Sequence, residues 1–115
     1  MVGAAAARGD QLGAALAAAL GDHPRVGDIR GLGLLRAVEL VADRDSRAPF
    51  PRSDRVTERV VAACAEHGVL VYSSTGCADG TDGDLLVLGP PLVITEAEVD
   101  ELVSRCAAAV RSVLD

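Results

Sequence analysis

The stretch GDLLVLGPPLVITEAEVDEL, Gly83 to Leu102, decides how this chain is read. An apolar run from Leu85 to Leu88 has the length and branching of a buried strand. Pro90 and Pro91 remove two backbone donors, so the strand cannot extend through them. Five residues after Pro90, Thr95 and Glu98 have the spacing of a capping box, in which each side chain accepts a backbone N–H that the first helical turn leaves free. Ile94 before the cap and Val99 after it have the spacing of a hydrophobic staple. The spacing therefore predicts a strand, a sharp stop and a helix running to about Leu114. Val99, Leu102 or Val103, Cys106, Val110 and Val113 would form its buried stripe.

Outward from this stretch, the N-terminal residues from Ala4 to Leu20 are rich in alanine, the best helix former. Leu12, Leu16 and Ala19 or Leu20 recur at helical spacing, and Gly21 and Pro24 end the pattern. From Gly33 to Val41 the apolar residues are too dense for a two-sided helix, and the glycines before them weaken a helix further. We expect one strand there, with Arg36 and Glu39 exposed or paired. Residues 42–54 read as a loop. Ser53 or Asp54 is placed to cap the next helix, whose stripe is Val56, Val60 and Cys64 or Ala63. His67 falls in its last turn and Gly68 ends it. Val69 to Tyr72 reads as a short strand, and Ser73 to Asp84 as a polar loop. The order is then α-β-α-β-β-α. It implies an α+β two-layer sandwich, a single domain over residues 1–115, with helices on one face of a small, mostly antiparallel, three-stranded sheet.

Composition narrows the partners. Of 115 residues, 17 are acidic and 11 basic, for a net charge of −6, and a nucleic-acid partner needs the opposite balance. No apolar stretch approaches the roughly 18 residues of a membrane span, and the N-terminus lacks the pattern of a secretory signal. Cys64, Cys77 and Cys106 include no CxxC pair, which argues against a metal site and against a disulfide framework. Cys64 and Cys106 lie on apolar helix faces, as buried thiols in a reducing compartment would, and we expect a cytoplasmic protein. All eleven basic residues are arginine, so no side chain can form a Schiff base with an aldehyde cofactor.

No local pattern marks an active site. In RGLGLLRA the glycines Gly31 and Gly33 are followed by Arg36 where a dinucleotide fingerprint needs a third glycine, and they read as a tight approach to a strand. Asp79, Asp82 and Asp84 miss the alternate ligand positions of a calcium loop. His23 and His67 have no acid and nucleophile at triad spacing. Arg44, Arg47, Arg52 and Arg55 alternate with acids, as a solvated surface does.

Two longer stretches carry more information. HPRVGDIRGLGLLRAVEL (His23 to Leu40) and DGDLLVLGPPLVITEAEVDEL (Asp82 to Leu102) resemble the C-terminal small domain of class III, fold type I aminotransferases. The family pattern V-G-D-[VI]-R-G-x-G-L falls on Val26 to Leu34. A helix ending in H-G-[VL] falls on His67 to Val69, and a strand closing in P-P-L before [TS] falls on Gly89 to Thr95. The pieces occur in the family's order over nearly the whole chain.

The resemblance implies a pyridoxal-phosphate enzyme that moves an amino group from an amine or ω-amino acid to a keto acid. It also implies that the cofactor lysine sits on a large domain outside these residues. The chain alone would then hold no cofactor and catalyse nothing, with no catalytic, cofactor-binding or metal-binding residue of its own. Its partners would be that large domain or a second subunit. At Val87 many family members have an arginine that clamps a substrate carboxylate. Between Arg59 and Arg105 this chain has no arginine, and valine cannot replace a bidentate guanidinium. The rival reading is a stand-alone interaction or regulatory module that kept the small-domain fold and binds a partner protein.

Overall fold

The computed structural model describes residues 2–91 and 93–115. Leu92, inside the Gly89–Thr95 motif, lies outside the described residues. Three helices, α1 (Val2–Leu20), α2 (Val56–Glu66) and α3 (Glu96–Leu114), pack with a sheet of β1 (Val26–Leu32), β2 (Leu35–Leu40), β3 (Tyr72–Thr75) and β4 (Asp84–Leu88). The strand order is β1-β2-β4-β3, and every pairing is antiparallel. The α+β class and the single helical layer are as expected.

The strand count is not as expected: the sheet has four strands, and the order is α-β-β-α-β-β-α. Gly33 leads into β2 as expected, but Gly31 lies inside a strand that the sequence reading missed. That strand, β1, begins at Val26 and is the first arm of a hairpin whose turn contains Gly33. Gly33 has a φ of +57°, which glycine adopts without a Cβ penalty. Close packing adds a second reason. A Cβ on Gly9 of α1 would lie 2.5 Å from the Gly33 carbonyl carbon, so helix and turn touch backbone to backbone. Arg36 fastens the contact: its Nε donates to the Gly33 carbonyl at 2.8 Å and its Nη2 to the Gly9 carbonyl at 3.0 Å. β3 is also displaced from the expected Val69–Tyr72 to Tyr72–Thr75, so the first part of the supposed polar loop is strand.

Alternation along the strands separates two faces. Val38, Leu40, Leu86 and Leu88 point inward to a core shared with Leu12 and Leu16 of α1, Val56, Val60 and Cys64 of α2, and Val99, Val103, Cys106 and Val110 of α3. Helices α1 and α2 bury the stripes their spacing announced; on α3 Val99, Val103, Cys106 and Val110 are buried and Val113 is half-buried. The capping box is present, with the Glu98 amide donating to the Thr95 hydroxyl and the Thr95 amide to the Glu98 carboxylate. Ile94 and Val99 both join the core.

The start of α2 departs from expectation. Neither Ser53 nor Asp54 caps it. Arg55 occupies the N-cap position in a left-handed conformation, with no side-chain cap bond. The cap comes from β4: Asp84, 3% exposed, accepts from the Thr57 amide at 3.0 Å and from the Thr57 hydroxyl at 2.5 Å. An acceptor at the N-terminus of a helix satisfies a free donor and meets the positive end of the dipole. Replacing Asp84 by alanine strands a buried amide and hydroxyl. We expect it to cost about 2–3 kcal/mol of stability in urea unfolding. Ser53→Ala and Asp54→Ala should each change stability by less than about 0.5 kcal/mol.

Candidate functional site

The second face of the sheet is where binding can occur, because no helix among the described residues covers it. Residues paired across the strands share a face, so the register defines its rows. One row is Arg30, Ala37, Val87 and Tyr72; the next is Asp28, Glu39, Leu85 and Ser74. At the hairpin end Leu32 pairs with Leu35. Leu32 is 85% exposed, Leu35 61% and Tyr72 73%. Ala37, Leu85 and Val87 are half-buried by their neighbours. Leu32, Leu35, Ala37, Val87, Leu85 and Tyr72 therefore form an apolar strip on a face open to one side.

One corner of that face is charged. The Arg30 guanidinium contacts the Glu39 carboxylate at 2.8 Å and the Asp28 carboxylate at 3.1 Å. The hydrogen bond to Glu39, assisted by that to Asp28, raises the Arg30 pKa above its ordinary value against the opposing effect of burial. Glu39 is thus paired, one of the two outcomes the sequence allowed. Arg36 turns the other way, into the contact with α1.

A cleft of about 550 Å³ opens beside this face, where the chain entering β3 diverges from the chain leaving β4. Val69, Leu70, Pro90, Pro91, Ile94 and Leu102 give it mostly apolar walls. The prolines of the decisive stretch end β4 and line the cleft. Glu98, Glu101 and Arg105 border it, with Arg105 paired to Glu101 one helical turn away. Beneath the rim, Gly68 has a φ of +82°, and the His67 ring hydrogen-bonds the Ala63 carbonyl at 2.8 Å, so His67 serves the helix end.

The remaining candidates stay apart. Buried His23 contacts Asp115 at 2.6 Å through Nε2, while its Nδ1 accepts from the Arg25 amide at 3.0 Å. Both ring nitrogens are engaged, and no nucleophile among the described residues joins them. Among the described residues no three His, Cys, Asp or Glu side chains are grouped to hold a metal ion. Asp79 closes its own loop by accepting from the Thr81 and Asp82 amides. Arg52 is bound by Glu58, whose carboxyl is lowered below its usual value chiefly by that hydrogen bond. Cys64 and Cys106 are buried neighbours in the core, and Cys106 is held far above the ordinary thiol value by its contact with Cys64 and by burial. Among the described residues no helix is long and apolar enough to cross a membrane.

Val87 was singled out in the sequence, and the structure puts it at the centre of the uncovered face. Tyr72, Ala37 and Leu85 were not, because their shared face follows only from the register.

The family model described as Aminotransferase class-III matches residues 1–110. An aminotransferase of Schizosaccharomyces pombe is 38% identical over 112 residues, which are 97% of this chain and 24% of the relative. The adenosylmethionine-8-amino-7-oxononanoate aminotransferase of Nitratidesulfovibrio vulgaris is 40% identical over 102 residues, 89% of this chain and 17% of that protein. Among solved structures, a thermostable (S)-enantioselective omega-transaminase from Thermomicrobium roseum superposes with a TM-score of 0.84 at 36% identity, covering 97% of this chain and 23% of the other. The chain spans about a quarter or less of the length of these relatives.

The Glu98 carboxyl, at the cleft's rim and in the capping box, is lowered from its ordinary value mainly by the Thr95 amide. A depressed carboxyl contributes stability that is present above its unfolded value, about 4.3, and lost as pH falls through the folded value. Acid unfolding followed by circular dichroism should show this loss. Glu98→Gln should flatten that part of the profile.

Proposed function

This chain belongs to the class III aminotransferases, and we propose that its 115 residues act as one domain, the C-terminal small domain of such an enzyme. The assembled enzyme transfers an amino group from an amine or ω-amino acid to a keto acid. The observation that carries this reading is the uncovered apolar face. Leu32, Leu35 and Tyr72 stand exposed on a sheet whose other face is packed by three helices. Exposed apolar surface of this kind favours association. The relatives have some three quarters of their length beyond the matched segment, which supplies a natural cover.

Pyridoxal phosphate, on which the family depends, supplies an electron sink when bound. The residues of this chain do not fit it: there is no lysine to form the imine, and Arg30, Arg52 and Arg105 are each paired with carboxylates. The lysine and the phosphate cradle belong on the large domain. This chain contributes a wall: Val87 and its row face the substrate and exclude water, and the large domain or a second subunit packs around them. The thiols of Cys64 and Cys106 and the acidic balance fit a cytoplasmic enzyme without a nucleic-acid or membrane partner. The same face would serve a stand-alone regulatory module, and the partner distinguishes the two readings.

The purified chain mixed with pyridoxal phosphate should show no Schiff-base absorption band; a band that survives dialysis overturns the assignment. Nitration of the single tyrosine, read by mass spectrometry, reports the face directly. Tyr72 should react readily in the isolated chain and become protected when a class III large domain is added. Equal reactivity with and without that domain favours the module.

A further inference from the structure

We propose that β3 is an open edge at which a second copy of this chain joins the sheet. The two β3 strands pair antiparallel about a two-fold axis at Ser74.

The hydrogen-bond pattern shows which groups the edge offers. The Gly76 amide donates to the Gly83 carbonyl at 3.0 Å, so these two residues form a bonded pair. In an antiparallel ladder bonded and non-bonded pairs alternate. Ser74 with Leu85 and Tyr72 with Val87 are therefore bonded pairs, and Ser73 with Leu86 and Thr75 with Asp84 are not. The amides and carbonyls of Ser73 and Thr75 point away from β4. β3 is the last strand of the sheet and its 4 residues are all exposed. Among the described residues no loop or side chain hydrogen-bonds these outward groups.

The two edges of the sheet differ. β1, the other edge, carries Asp28, Arg30 and a bulge between Val26 and Asp28, and such features keep an edge from pairing. At β3 they are missing. VLVYSSTGC, Val69 to Cys77, holds no charged residue and no proline. Leu70, 91% exposed, and Tyr72 add apolar surface along it.

A second copy is the partner this edge fits. The outward groups lie one residue either side of Ser74, so a two-fold axis there sets Ser73 of each copy against Thr75 of the other. Each such pair exchanges two hydrogen bonds. The facing side chains are Ser and Thr, so identical strands meet without the repulsion of like charges directly opposite. A partner selected by charge would find no ion on β3 to pair with. The net charge of −6 on each chain opposes approach from a distance, and salt screens it. The interface is small, so association is weak and reversible.

Sedimentation velocity of the purified chain, from about 10 µM to about 1 mM, should show a reversible monomer–dimer equilibrium. It should tighten as salt rises from about 0.05 to about 0.5 M, the reverse of an ion-paired interface. Ser73→Pro removes an outward donor and spares the bonds to β4. It should raise the dissociation constant at least about tenfold, with the circular dichroism unchanged. Ser73→Ala keeps the amide and should associate like the wild type. Amide hydrogen exchange by NMR needs no substitution. The Ser73 and Thr75 amides should exchange fast in dilute samples and become protected as concentration rises, while those of Tyr72 and Ser74 stay protected in both. A chain that stays monomeric to about 1 mM overturns the inference. So does a dimer whose Ser73 and Thr75 amides exchange as fast as the monomer's. A dimer that Leu32→Ser abolishes and Ser73→Pro leaves intact associates through the uncovered face and overturns it too. Protection that arises only when a class III large domain is added assigns the edge to that domain and overturns the second copy.

Discussion

Asp84 joins the parts of this domain. It begins β4 and pairs with Leu40 across β2 and with Thr75 across β3. Its buried carboxylate caps α2 through both the amide and the hydroxyl of Thr57. One side chain thus fixes where β4 enters the sheet and where the helix behind it starts. Because β4 lies between β2 and β3, its register also decides which side chains of the two hairpins meet. A slip of one residue would exchange the faces, sending Val87 into the core and Leu86 and Leu88 into solvent. The candidate substrate wall is a consequence of this register.

The helical layer and the wall make different demands. The core is built from Ala, Val and Leu with almost no aromatic residues, and it closes by near contact of backbones, as where Gly9 meets Gly33. Such packing leaves little freedom to shift helices against the sheet. The uncovered face is held from behind and free in front. That suits a surface that must present fixed side chains to something outside the domain.

Much of this was legible in the sequence. Leu12, Leu16, Leu20, Val60 and Val110 announced the helices through their spacing, and Thr95 with Glu98 announced the start of α3. These signals are local, and the structure keeps them. β1 was hidden because Gly27, Gly31 and Gly33 look like breakers, whereas they form a bulge and a turn around a real strand. The cap of α2 was illegible because its acceptor lies 27 residues away and becomes a neighbour only after β4 has paired. Val87 could be marked by family resemblance. Tyr72 could not, since residue 72 looked like the last residue of a strand that begins there.

Borohydride reduction of the native protein from its source, followed by peptide mapping, tests the central claim most directly. The account predicts a phosphopyridoxyl group on a lysine outside these 115 residues, on the same polypeptide or on a stoichiometric partner. Finding the 115-residue chain alone, monomeric and free of any phosphopyridoxyl-bearing partner, would contradict it.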